Sequence, residues 1–324
     1  MNDEVVYPEI VGLLTMMQLK KLFKPAACLP GMIFILFLAG CVKGGGEFVS
    51  ANKVVLADLH PNMHFEQEVM IVRISQILLI GRQLSKAERA SLHFERGVLY
   101  DSLGLWGLSR YDFTQALVLQ PKMAEVYNYL GIYLLLDEDY DGALEAFNTV
   151  FELNPQYEYT FLNRGLDFYY MGRYNLAEED FLKFHAADKS DPYRVLWLYL
   201  NELKFKPNEA KQNLVMRARA LSTEYWGTYI VRYYLGELSV QDLLDKTKTF
   251  VDPQSPQYAE VLTETYFYLA KQKLNTGHID EAETLLKLAI ANQVYNFVEY
   301  RFALFELNKL KPNGEQTEQA VVKR

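Results

Sequence analysis

The stretch AEVYNYLGIYLLLDEDYDGALEAFNTVFELNPQY, residues 124–157, reads as two helices folded back on one another. Tyr127, Leu130, Gly131 and Leu134 recur at spacings of three and four, which gathers them on one face of a first helix. Gly131 has no side chain and lets a second helix come close. Ala143, Phe147 and Val150 supply the facing stripe of that second helix, and Asp141 stands where it can cap its start. Pro155 then stops it, because proline cannot extend the hydrogen-bond ladder. A single hairpin of this kind leaves apolar surface uncovered, so it needs like neighbours.

Working outward, Gly97, Gly131 and Gly165 stand 34 residues apart, as do Phe113, Phe147 and Phe181. Ala143 and Ala177 repeat, Pro121 and Pro155 repeat, and the aromatic residues Tyr127 and Phe161 are equivalent. A 34-residue period carrying these residues is the mark of stacked tetratricopeptide units. The expected fold is all-α, a helical solenoid with repeats at about residues 90–123, 124–157, 158–191 and 263–296. Ser109 stands in the first where alanine is usual, and the proline of the third comes late, at Pro192. Thr263 to Asn296 is a weaker unit, marked by Tyr266, Leu269, Ala270, Ala282, Leu286 and Ala289. Between the third and fourth units the period is lost, and irregular helical pairs are expected, broken at Pro207, near Gly236 and at Pro253 and Pro256.

The N-terminal part has a different character. Lys20, Lys21 and Lys24 precede an apolar run from about Leu29 to Ala39, far short of the roughly 20 residues of a membrane-spanning helix. It reads as a signal peptide over residues 1–40, with Met16 or Met17 as a possible initiator because Asp3, Glu4 and Glu9 do not suit a signal's basic start. The run ends Leu38-Ala39-Gly40-Cys41, which resembles a bacterial lipobox. That resemblance implies cleavage before Cys41, with covalent diacylglyceryl and acyl lipid on it. Val42 rather than aspartate follows, which favours the outer membrane, facing the periplasm. Residues 41–61 contain Gly44-Gly45-Gly46 and read as a flexible tether, spanning roughly 25 Å on average. Residues 62–310 would form the tetratricopeptide-type helical domain and residues 311–324, polar and carrying Pro312 and Gly314, a disordered tail.

Composition narrows the chemistry. The net charge is −8, which does not invite nucleic acid. The two cysteines are Cys28, lost with the signal, and Cys41, consumed by lipid, so neither a disulfide framework nor a cysteine metal site is expected. Asp137, Asp139, Asp141 and Gly142 match the opening of a calcium-binding loop, but the closing glutamate is replaced by Asn148, and the repeat explains the segment as an interhelical turn. No cofactor is expected. The histidines lie apart from any serine or cysteine motif for nucleophilic catalysis, so the chain does not read as an enzyme.

A repeat stack has a concave face made from first-helix positions left over from packing. Here these are Phe94, Val98 and Asp101, then Asn128, Ile132 and Leu135, then Tyr159, Leu162, Leu166 and Tyr169. Such an apolar, aromatic groove could take an extended or helical peptide, with Asp101 and Asn128 fixing its orientation. The same residues could equally be covered by another part of the chain or by a second subunit.

Residues 94–105 (FERGVLYDSLGL), 127–134 (YNYLGIYL), 196–200 (LWLYL) and 296–301 (NFVEYR) closely resemble the NlpI family of lipoproteins of Gram-negative bacteria. The likeness runs from about Glu66 to about Leu310, irregular middle included; the segment before Met16 and the tail after Lys311 depart from it. The resemblance implies an all-helical homodimer at the outer membrane. It further implies an adaptor that presents a peptidoglycan endopeptidase to a periplasmic tail-specific protease and scaffolds other peptidoglycan hydrolases. The alternative is a self-associating structural lipoprotein without a peptide ligand.

Overall fold

The computed structural model describes residues 54–58, 64–81 and 83–311, and among them every regular element is a helix. A Cβ added to Gly97, Gly131 or Gly165 would stand 2.7, 2.5 or 2.6 Å from the ring of Phe113, Phe147 or Phe181, closer than real Cβ atoms approach. Missing side chain and buried ring are one device, used three times. It draws together the hairpins α2 (Lys86–Ser102) with α3 (Trp106–Leu119), α4 (Ala124–Leu136) with α5 (Tyr140–Leu153), and α6 (Tyr159–Tyr170) with α7 (Tyr174–Ala187). Ahead of them lies α1 (Phe65–Ile80), packed on α2.

The turns obey the same register. Gly104 (φ 71°), Glu138 (φ 64°), Gly172 (φ 75°) and Gly277 (φ 78°) all hold the left-handed conformation, at the same place in the four predicted repeats. Glu138 is the exception in chemistry, a side-chain-bearing residue where its sisters are glycine. The fourth unit is the hairpin of α12 (Gln257–Asn275) and α13 (Ile279–Ala291). At its close-approach positions it exchanges the glycine and phenylalanine for Ala270 and Leu286, both fully buried.

Two local expectations need correction. The N-cap of α5 is Asp139, whose side chain accepts from the Gly142 N–H, while Asp141 lies in the first turn. Pro192 does not terminate the third unit: α7 ends at Ala187, and Pro192 opens α8 (Pro192–Phe205), where its missing N–H has no helical acceptor to lose.

The irregular middle is α8 with α9 (Pro207–Ala218), then the short α10 (Gly227–Leu235) and α11 (Val240–Phe250). α8 is buried all round from Val195 to Glu202, so it runs through the core. Trp197 is its centre, with the rings of Phe181, Phe267 and Phe302 about it at 6.3, 6.0 and 6.1 Å. Phe302 belongs to α14 (Val298–Leu310), which packs on α13 and α12 and reaches back to α4.

Candidate protein-docking site

α14 decides what is left of the concave face. Arg301 projects from it to Asp101, which also accepts a 2.5 Å hydrogen bond from the Tyr133 hydroxyl. Glu306, one turn further on, pairs with Lys271 and accepts from the Tyr170 hydroxyl at 2.9 Å. The Phe302 ring stacks on that of Tyr170, 5.2 Å between centroids and nearly parallel. Lys271 itself lies over the rings of Tyr169 and Tyr170 at 5.0 and 5.3 Å. Burial pulls this ammonium down, but Glu306 and Tyr169 more than reverse it and leave it raised. Glu306, which burial alone would raise, is held low by Lys271. An aromatic groove suited to a cation therefore already holds one from the same chain.

Of the alternatives left open for these residues, cover by another part of the chain describes most of them. Leu135 and Leu166 are fully buried, and Leu162, Tyr169, Asn128 and Asp101 are buried. Asp101 is engaged by Arg301, and Asn128 accepts from the Asn163 amide at 2.9 Å, so neither is open to orient a ligand. Phe94, Val98 and Ile132 are half-buried, with Phe94 against Phe113 and Tyr129. Tyr159 alone of the ten is well exposed, at 51%. A first-helix position faces the hollow by register, but it is open only if nothing downstream fills the hollow, and α14 does.

Charges that the sequence reading passed over tie the stack together. Arg96 makes a bidentate pair with the fully buried Asp112, at 2.7 and 2.8 Å, and His93 Nδ1 lies 2.7 Å from the same carboxylate. Arg96 also donates to Ser75, which fastens α1 to α2. Arg164 and Asp180 repeat the bidentate pair two units later. The signal was legible: an arginine and an aspartate sixteen apart, recurring 68 residues on, at positions that Leu130 and Ala146 occupy in the unit between.

Two carboxylate groupings stand without such relief. Tyr193 donates to Glu264 and Tyr268 donates to Glu299 at 2.9 Å, and burial holds both carboxyls above their usual range, with the charge of Glu299 also raising Glu264. Asp167 on α6 is fully buried and its carboxylate accepts no hydrogen bond from the protein. Burial first, then the negative charge of Asp141, pushes it up to about 7.

Of the calcium-like residues, Asp137 pairs with Arg110 at 2.6 Å and Asp139 caps α5. Asn148 accepts from Arg164. Among the described residues no group of three or more histidine, cysteine, aspartate or glutamate side chains is placed to hold a metal ion. The signal peptide, Cys41 and the tail after Lys311 lie outside the described residues.

What remains open lies on other helices. α1 exposes Phe65 (61%), Val72, Leu79 (84%) and Ile80 (73%), with Ile74 its buried residue. α3 exposes Leu108, Tyr111 and Val118. Single exposed apolar residues are ordinary, but a row of them along one helix marks an interaction surface, and α1 and α3, which both pack on α2, each carry one.

Helix pairs locked by glycine and phenylalanine every 34 residues, with no regular element but helix described, define a tetratricopeptide-type repeat protein. The tetratricopeptide repeat family model matches residues 124–157, the unit from which the sequence was read. The chain belongs to the NlpI lipoprotein family: it is 72% identical over 278 residues to the lipoprotein NlpI homolog of Haemophilus influenzae, covering 86% of this chain and 88% of that one. Solved structures resemble it more loosely. A tetratricopeptide repeat protein from Parabacteroides merdae is 16% identical with a TM-score of 0.46, over 75% of this chain and 98% of that one. The C-terminal part of a repeat-containing protein from Cytophaga hutchinsonii is 16% identical with a TM-score of 0.43, over 72% and 93%.

Proposed function

We propose that this chain is a membrane-tethered periplasmic adaptor that binds proteins and catalyses nothing itself. It presents a peptidoglycan endopeptidase to a tail-specific protease and scaffolds other cell-wall hydrolases. Lipid on Cys41 holds it to the outer membrane, facing the periplasm, and two copies form a homodimer. The observation that carries this reading is the apolar surface left open on α1 and α3 after the core is complete. Kinship with a lipoprotein family of the same repeat architecture supports it. A tethered surface that holds two proteins raises their effective concentration to the millimolar range without any catalytic group.

The test is capture from periplasmic extract with the lipid-free protein, comparing the parent with a Tyr111→Ala, Val118→Ala variant. The parent should return a protease together with a wall hydrolase, and the variant should lose at least one. Recovery of neither by the parent defeats the proposal. The second reading, a self-associating lipoprotein without a peptide ligand, draws on Phe65, Leu79 and Ile80. Under it, loss of the α3 row leaves everything unchanged and Leu79→Asp abolishes a dimer that captures nothing.

A further inference from the structure

The segment expected to run free as a tether is seated on the body at residues 54–58. The Val55 N–H donates to the Tyr266 hydroxyl at 3.1 Å, and that hydroxyl donates to the Val55 carbonyl at 2.6 Å. Val55 and Ala57 pack half-buried against the core, while Val54 (39%), Leu56 (54%) and Asp58 face outward. The segment has no regular secondary structure but lies down by one face, with alternate side chains inward. One phenol satisfies both polar groups of one residue, so the recognition is of main chain rather than of sequence. Only two side chains enter the surface, and neither is deeply buried. Tyr266 is fully buried beneath the segment.

We propose that the slot beside Tyr266 is a binding site for an extended polypeptide segment with small or branched aliphatic residues at alternate positions, and that residues 54–58 are its resident, displaceable occupant. The chain thus regulates the slot with its own N-terminal segment. The slot lies on α12, and the inference uses none of the exposed residues of α1 and α3 and is independent of the adaptor reading. Asp58 precedes the start of α1 by only seven positions, so the resident acts at a high local concentration. A competing strand must therefore bind tightly, arrive in excess, or find the resident withdrawn.

Two measurements on the full chain in detergent test this. By hydrogen exchange, the Val55 amide should be at least tenfold more protected in the parent than in Tyr266→Phe, which keeps the ring and removes both hydrogen bonds, while α4 and α5 exchange alike in the two. A labelled peptide of sequence KVVLADLH, residues 53–60, should bind at least tenfold more tightly to Val55→Asp, whose new carboxylate drives the resident off the apolar surface, than to the parent. Equal exchange at Val55 in parent and Tyr266→Phe overturns the docking. Equal or undetectable peptide binding to parent and Val55→Asp overturns the slot as a site for a second strand.

Discussion

Replacing Asp167 by asparagine should stabilise this protein most above neutral pH and leave it nearly unchanged only below about pH 4. Asp167 is fully buried, its oxygens accept nothing from the protein, and its carboxyl is raised from 3.8 to about 7. Because the folded value is the higher, the folded state holds its proton more tightly than the unfolded chain does. The stability this supplies is complete below about 3.8, falls as pH rises, and is gone above about 7. At about 1.4 kcal/mol for each tenfold change in proton affinity, the whole span is roughly 4 kcal/mol, of which some 2 to 3 kcal/mol falls between pH 5 and pH 8. Asparagine nearly matches the shape and cannot ionise. Urea denaturation of both proteins at pH 5, 6, 7 and 8 should therefore show the variant drawing ahead by about 2 kcal/mol and levelling off above neutrality. The raised Glu264 and Glu299 titrate in both proteins and drop out of the difference. A gap that stays constant with pH, or that favours the parent increasingly as pH rises, would refute the reasoning.

Gly131→Ala puts a methyl group 2.5 Å from the Phe147 ring and should lower stability by about 1 to 3 kcal/mol in chemical denaturation, with a further truncation, Phe147→Leu, restoring part of the loss. Glu138→Gly relieves a left-handed backbone at which the equivalent turns use glycine, and should raise the unfolding midpoint by an amount worth about 1 kcal/mol; no change would show that the turn is held without strain. Arg301→Met leaves Asp101 buried without its cation and should cost about 3 to 5 kcal/mol, with faster amide exchange in α14 and in the facing part of α2. A loss confined to α14, with α2 unaffected, would mean that the helix does not brace the first unit.

Periodicity determined the repeat units, their helical hairpins and the close approach of Gly97, Gly131 and Gly165 to Phe113, Phe147 and Phe181. These are contacts between residues sixteen apart, and local sequence carries them because each hairpin closes on itself. Even the departure at Glu138 sits on a register position that can be counted. The candidate groove was legible only as a set of directions. Whether Asp101 or Tyr170 is open depends on α14, which lies far along the chain and arrives through the pairing of Arg301 with Asp101, 200 residues away. The charged residues of α14, Glu299, Arg301 and Glu306, read from sequence as a solvated face and are buried only because the tertiary structure supplies their partners. The seating of Val55 on the hydroxyl of Tyr266 had no hint in the sequence, because it uses main-chain atoms that every residue possesses. Helical spacing is written into neighbouring residues; which surface a distant helix or strand covers is settled by where the stacked units bring the chain back.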